Sequence, residues 1–325
     1  MGDLITVSGP GYREGTQLKR QRICFVYNAG GIGDYIYWTQ AIRHAIESQP
    51  HIYGYISAPG FFVDLARLWL GDLRDRFKVK EHVKWETEEW TKSTPCVVPD
   101  GRQYANALGF HLHQLGFIYY SQINYIPKGY EHPPEIRGDE FHVEHPLPED
   151  YAVITPYATH DNRRMSAEAI NDLTTYVLGR GLTPVFLGKA YMAPDHKAKT
   201  SEAINLEGVI DLTEKTSLRE AAVIMARAKA VIGLDNGLLH LACCSRVPVV
   251  FAFTTVEPRL RLPKRREGAK TITLTPPKEL GCRFCSSHGR FVIGHDYADC
   301  LYRDNLCTKL ITGPDLIRAY EELMK

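Results

Sequence analysis

Residues 230–253 read AVIGLDNGLLHLACCSRVPVVFAF, and this stretch decides the fold class. AVIGL is a short apolar run closed by the turn cluster Asp235-Asn236-Gly237. LLHLACC then has the length and spacing of a short helix, and VPVVFAF is a second apolar run. Brief apolar runs bounded by turn residues read as strands buried on both faces. A strand, a helix and a second strand in succession form a βαβ unit, the building block of a parallel sheet with helices on both sides.

The same rhythm extends in both directions. Upstream lie the strand YAVITPYA, the helix SAEAINDLTTYVLGRG closed by glycine, the strand TPVFLG, and then GVIDLT followed by SLREAAVIMARA. Ser217 or Thr216 serves as N-cap for that last helix. The C-terminal GPDLIRAYEELMK is a helix with proline in its first turn. In the first half, RICFVYNA, HIYGYISA and CVVPDG read as strands, and DYIYWTQAIRHAIES, FFVDLARLWL and ANALGFHLHQLGF as helices. Between the halves, residues 126–150 (IPKGYEHPPEIRGDEFHVEHPLPED) are rich in proline and charge and carry no period, as a linker does. A chain of 325 residues fits two domains of roughly 150 residues each. The expected architecture is α/β, with two doubly wound, Rossmann-like domains, residues 1–145 and 146–325, facing a central cleft.

Composition narrows the function classes. A net charge of +1 gives no global attraction to nucleic acid or an anionic membrane. RLRLPKRR, residues 259–266, is a dense basic run, read as a solvated loop or a contact for an anionic ligand. No apolar stretch approaches the roughly 18 residues that a membrane-spanning helix needs. The N-terminal residues show no basic-then-apolar secretory pattern, so the expected location is cytoplasmic.

Two loops carry candidate chemistry. YNAGGIGDYIYW, residues 27–38, places three glycines and Asp34 between a strand and a helix. The full G-x-G-x-x-G dinucleotide fingerprint is absent, because no third glycine follows Gly31-Ile32-Gly33 at the required place. Asp34 is then either a helix cap or a general base at the carboxyl end of a strand. Tyr35, Tyr37 and Trp38 beside it supply aromatic surface for a sugar or for the core. In the second loop, backbone amides around Asp235, Asn236 and Gly237 can hold a diphosphate, with a hydrogen bond from His240. The alternative is purely structural, with Asp235 as cap and His240 as a surface side chain.

Here a family resemblance enters. DNGLLHLACCSRVPVV resembles the D-[ST]-G-x-x-H-[LI]-A-x-A-x-x-x-P-V-V signature of glycosyltransferase family 9, the ADP-heptose:lipopolysaccharide heptosyltransferases. GGIGD resembles that family's G-x-[LI]-G-D motif. ITPYATHDNRRMSAEAINDL and IDLTEKTSLREAAVIMARAKAVIG resemble its intervening segments, in the same order. The resemblance implies a GT-B fold and inverting transfer of a sugar from a nucleotide-activated donor, ADP-heptose by family default. It implies Asp34 as the base that takes the acceptor's proton, and Thr159, Arg163, Asp235, Asn236, Gly237 and His240 as the donor site. Gly33, Tyr35 and His111 fall on the acceptor side. Arg163 stands in place of a lysine and Asn236 in place of Ser or Thr. Lys189 and Ala190 stand where the family has an acidic residue for the ribose. Met165-Ser166 replaces a Trp-Pro pair, and Thr216 an apolar residue. No catalytic divalent metal is required by this site, because Arg163, His240 and backbone amides share the diphosphate charge.

Four of the eight cysteines, Cys282, Cys285, Cys300 and Cys307, fall in one short segment as C-x2-C-x14-C-x6-C. Four thiolates so spaced match a tetrahedral structural metal site, with zinc the first expectation. His288 and His295 lie inside that segment as substitutes for a cysteine. The family's protein-modifying branch resembles this in carrying a cysteine-ligated iron. The expected partners are a nucleotide-sugar donor and a glycan, protein or modified-base acceptor, with oligomerisation allowed. Other readings of the same scaffold are a nucleotide-sugar epimerase or hydrolase, and a non-catalytic metal-stapled binding module.

Overall fold

The structure is a computed structural model. It describes residues 4–7, 16–27, 31–81, 96–97, 129–130, 132–158, 161–189, 204–285, 287, 300, 302 and 304–325. The expected helix at 105–117, with His111 and His113, lies outside the described residues, as do Thr159, Lys189's neighbour Ala190, His288 and His295. The chain divides into two compact units, Met1–Pro134 and Glu135–Lys325. That division falls inside the proline-rich stretch 126–150, eleven residues N-terminal to the 145/146 junction that the sequence suggested.

In the first unit, β1 (Leu4–Val7) and β2 (Thr16–Lys19) form an antiparallel pair. The main sheet joins β3 (Gln21–Val26), β4 (Ile52–Ala58), β5 (Phe77–Glu81) and β6 (Cys96–Val97) in the order β5-β4-β3-β6, all parallel. Helices α1 (Ile32–Ser48) and α2 (Val63–Leu70) bury their apolar stripes, including Ile36, Ile42, Ile46, Leu65 and Trp69. Gly54 in β4 has φ +147°, and a Cβ there would stand 2.0 Å from the Ile23 carbonyl oxygen of β3. Only glycine lets these two strands pair at that point.

The second unit has a six-stranded parallel sheet. It is built from β7 (Tyr151–Thr155), β8 (Thr183–Phe186), β9 (Ile210–Asp211), β10 (Val231–Leu234), β11 (Val249–Ala252) and β12 (Thr271–Leu274). Their order is β12-β11-β10-β7-β8-β9. Counted within the unit this is 6-5-4-1-2-3, the doubly wound dinucleotide-domain order, with its topological switch between β7 and β10. Helix α3 (Ala167–Gly179) starts at Ser166, whose hydroxyl accepts from the Ala169 amide at 3.1 Å. Helix α4 (Leu218–Arg227) starts at Ser217, which accepts from the Glu220 amide at 3.3 Å. The shorter helices are α5 (Gly237–Ala242), α6 (Pro258–Arg261) and α7 (Leu306–Lys309). The C-terminal α8 (Gly313–Leu323) packs with α3 on one sheet face, over Ile154, Phe186, Ile232 and Val250. Its capping box joins Thr312 and Asp315 reciprocally.

Among the described residues, no helix is long and apolar enough to cross a membrane.

Candidate active site

The switch between β7 and β10 opens at the carboxyl ends of the strands, where open α/β sheets bind ligands. A chain of short-range fits assembles this corner. Gly233 of β10 pairs with Thr155 of β7. A Cβ on Gly233 would lie 2.0 Å from the Thr155 hydroxyl oxygen, so the glycine makes room for that hydroxyl. Thr155 then accepts from the Asn236 side-chain amide at 3.1 Å, and the same amide reaches the Tyr157 carbonyl at 3.1 Å. The other end of the Asn236 side chain, Oδ1, accepts from the Leu238 and Leu239 amides at 3.0 and 3.1 Å. Asn236 is therefore the N-cap of α5, a role that the purely structural alternative gave to Asp235. Its two ends tie the β10–α5 turn to the end of β7.

Asp235, freed from capping, turns inward and is 2% exposed. Its Oδ1 meets His240 Nε2 at 3.1 Å, and its Oδ2 lies 3.8 Å from Arg163 Nη1. Burial alone would raise the Asp235 pKa. The His240 hydrogen bond and the charges of Arg261 and Arg163 outweigh it and hold the carboxyl well below the usual carboxylate range. His240 is buried edge-on against Phe251, with ring centroids 5.2 Å apart. The His240 Nε2 expected to meet a diphosphate is hydrogen-bonded to Asp235. The buried carboxylate thus holds Arg163 beside the switch, and the Arg261 charge acts on it as well.

The backbone that carries Arg163 is buttressed from behind. Asn162 is buried, and its carbonyl accepts from the Thr254 hydroxyl at 2.6 Å and faces the Cys307 thiol at 4.0 Å. Thr254 in turn accepts from the Phe284 amide at 3.0 Å, and the Ser287 hydroxyl accepts from the Glu257 amide at 2.9 Å. The cysteine-bearing segment therefore docks on the loop that follows β11. Next to it, a cavity of about 580 Å³ is lined by Glu257, Pro258, Arg259, Arg283 and Phe284.

Burial pushes the Cys307 thiol up to about 12, and the neighbouring Cys285, Cys300 and Cys282 add to the effect. Among the described residues, however, no three His, Cys, Asp or Glu side chains stand close enough to hold a metal ion.

The basic run 259–266 resolves into separate roles. Arg265 donates to the carbonyls of Ser245 and Val247 at 3.0 and 2.7 Å, pinning the α5–β11 connection. Arg259 pairs with Glu257, and Arg266 faces Glu135 at 4.0 Å. Arg261 is the member whose charge reaches Asp235.

In the first unit, Asp34 stands in the first turn of α1, just beyond the carboxyl end of β3. Its Oδ2 accepts from the Gly31 amide at 2.7 Å. The capping geometry and the position expected of a base therefore coincide. Gly33, Tyr35, Tyr37 and Trp38 are buried, so these aromatics build core instead of an open stacking surface. The exposed ring at this end of the sheet is Phe61, which is 57% exposed. The pair Phe61-Phe62 gave no sign in the sequence of which ring faces outward.

Comparison with known proteins places this geometry. Residues 131–271 match the sequence profile of glycosyltransferase family 9 (heptosyltransferase), a span that contains Arg163, Asp235, Asn236 and His240. That match spans less than half of the 325-residue chain. A 138-residue stretch is 28% identical to lipopolysaccharide heptosyltransferase 1 of Salmonella typhimurium. That alignment covers 41% of this chain and 42% of the relative, so it spans less than half of that protein.

Among solved structures, the chain is similar to the dodecameric iron-containing heptosyltransferase TibC in complex with ADP-D-beta-D-heptose. The TM-score is 0.68 at 17% identity, over 98% of this chain and 82% of that one. TibC is also described from enterotoxigenic E. coli H10407. E. coli ADP-heptose lipopolysaccharide heptosyltransferase II follows, with a TM-score of 0.61 at 15% identity, over 94% and 98% of the two chains. This likeness shows the fold, the GT-B type of α/β architecture with two Rossmann-like units.

Proposed function

We propose that the chain is an inverting glycosyltransferase. In this reading the second unit binds a nucleotide sugar, and the first supplies the base for an acceptor hydroxyl. The observation that carries the reading is the buried Asp235 carboxylate. It lies at the topological switch of the segment that matches family 9, hydrogen-bonded to His240 and paired with Arg163.

A donor diphosphate would contact Arg163, which Asp235 pairs with, and Arg261, whose charge also acts on Asp235. Arg163, standing where the family has lysine, offers a planar fork to two phosphate oxygens. In the reaction the acceptor oxygen attacks the anomeric carbon from the face opposite the leaving group. The new C–O bond forms as the bond from carbon to the diphosphate oxygen breaks. The acceptor proton passes to the Asp34 carboxylate, and the nucleoside diphosphate leaves with its added negative charge facing the two guanidinium groups. ADP-heptose is the proposed donor, supported by the family match and by the ADP-heptose complex of TibC. Thr159 belongs to the proposed donor contacts, and Gly33, Tyr35 and His111 to the acceptor side, by the family resemblance.

Cys282, Cys285, Cys300 and Cys307 are the proposed ligands of one structural zinc or iron ion. Their C-x2-C-x14-C-x6-C spacing and the iron content of TibC support this. Such an ion would staple the segment 281–307 and carry no step of the transfer. With its thiol pushed up to about 12, Cys307 must lose its proton when it ligates, so metal uptake releases acid.

A thermal-shift screen of the full chain against ADP-, GDP-, UDP- and CMP-sugars tests the donor assignment. Selective stabilisation by ADP-heptose is expected, since only a ligand of the native state raises the midpoint. A shift with none of them contradicts the proposal, and selective stabilisation by another nucleotide sugar reassigns the donor.

A further inference from the structure

The acceptor end of the first unit carries an aromatic residue that the family signature does not include. Phe61 follows β4 by three positions, in the turn that leads into α2. Its neighbour Phe62 is fully buried against Tyr27, Tyr35 and Trp69. Phe61 instead lies outward, its ring stacked on that of Tyr35 with centroids 6.0 Å apart and planes 17° from parallel. Tyr35 is the residue after Asp34. Burial raises the Tyr35 phenol, and the Asp34 charge raises it further.

Exposing most of a phenylalanine ring at the carboxyl end of a parallel sheet forgoes the stabilisation its burial would give. The polar surroundings say what such a ring can meet. A Cβ on Gly60 would lie 2.4 Å from Glu81 Oε1, so the Glu81 carboxylate sits against the residue next to Phe61. On the other side Asp34 precedes Tyr35 in the first turn of α1. Among the described residues, Lys80 lies 4.3 Å from the centre of the Tyr55 ring, and Arg67 pairs with Asp64 at 3.5 Å. Among the described residues, this apolar ring thus has Glu81 against the residue before it and Asp34 before the tyrosine it stacks on.

We propose that Phe61, stacked on Tyr35 beside Asp34, selects the acceptor by taking the apolar C–H face of an uncharged sugar ring. This inference rests on the glycosyltransferase reading above. A pyranose ring stacked on Phe61 meets the electron-rich face of the aromatic ring with its C–H groups. Its edge hydroxyls then lie toward carboxylates that accept hydrogen bonds, and one of those carboxylates is the proposed base. The same two carboxylates repel a phosphate or uronate on the acceptor. Phe61 is thus a specificity-determining residue, and the acceptor class is neutral glycan.

The test uses the full chain on an array of neutral pyranosides with their uronate and 6-phosphate counterparts, in parallel with calorimetry of ADP binding. Wild type is expected to retain neutral pyranosides over the charged counterparts. Phe61→Ala is expected to lose roughly tenfold in that retention, Phe61→Trp to restore it, and both variants to bind ADP as wild type does. Stronger retention of the charged counterparts, no retention of any pyranoside, or an unchanged Phe61→Ala profile overturns the inference. Failure of wild type to bind ADP instead overturns the glycosyltransferase reading itself, so the two failures are told apart.

Discussion

Asn236→Ala is the substitution whose cost the geometry specifies most fully. The side chain makes two kinds of contact, and each has its own magnitude. As N-cap of α5 it satisfies the Leu238 and Leu239 amides, and removing such a cap costs about 1 kcal/mol. As a donor it serves Thr155 Oγ1 and the Tyr157 carbonyl, and stranding partners in a buried site costs about 1–3 kcal/mol more. The expected total is about 2–4 kcal/mol, a shift of about 1–2 M in urea midpoint at a slope of about 2 kcal/mol/M. Asn236→Ser, which keeps a capping oxygen and loses the long donor, is expected to fall between Ala and wild type. Urea denaturation followed by circular dichroism measures both, with the two units fitted as separate transitions. A cost below about 0.5 kcal/mol for the alanine variant would refute the claim that Asn236 ties the turn to β7.

Two further outcomes follow from the same corner. Gly233→Ala places a methyl 2.0 Å from Thr155 Oγ1 and 2.6 Å from Leu239 Cδ2, so it is expected to cost about 1–3 kcal/mol or more. A double-mutant cycle with Thr155→Ala should recover part of that loss, and strict additivity would contradict the close approach. Acid sensitivity is expected from Asp235 and Glu220, whose carboxyls are both held below their ordinary values of 3.8 and 4.5. Burial opposes this at Glu220, where hydrogen bonds from the His145 ring and the Glu144 and His145 amides prevail. A depressed carboxyl pKa gives stability that is full above the unfolded value and is lost as pH falls through the folded one. The denaturation midpoint of the second unit should therefore hold from pH 8 to about 5 and drop below about pH 4.5. Asp235→Asn should flatten that drop, and an unchanged profile would contradict the assignment.

The interior strands were legible because they are buried on both faces and so appear as unbroken apolar runs, as in VIGL and VVFA. The strands β5 (FKVKE) and β12 (TITL) gave no such signal. Among the described residues both are edge strands with one neighbour each, where charged and polar side chains are accommodated and even useful. At the site, Asp235-Asn236-Gly237 was legible as a turn because its residue types carry turn chemistry locally. Which of the pair caps the helix was not, since it depends on Gly233 admitting the Thr155 hydroxyl across the strand pair. The direction of His240 has the same origin, for its helical position gives no hint that Asp235 is buried beside it. Phe61 was invisible for a simpler reason. Two adjacent phenylalanines after a strand look alike until packing chooses the one that enters the core.

The most direct test of the account is transfer by Asp34→Asn set beside its donor binding. Asparagine keeps an oxygen for the Gly31 amide, so the first turn of α1 stays capped while the proton acceptor is removed. Calorimetry with ADP-heptose and a single-turnover assay on the acceptor that the array identifies would be run on both proteins. The account predicts unchanged donor affinity and a loss of about 100-fold or more in the transfer rate. Transfer by Asp34→Asn at the wild-type rate would contradict it.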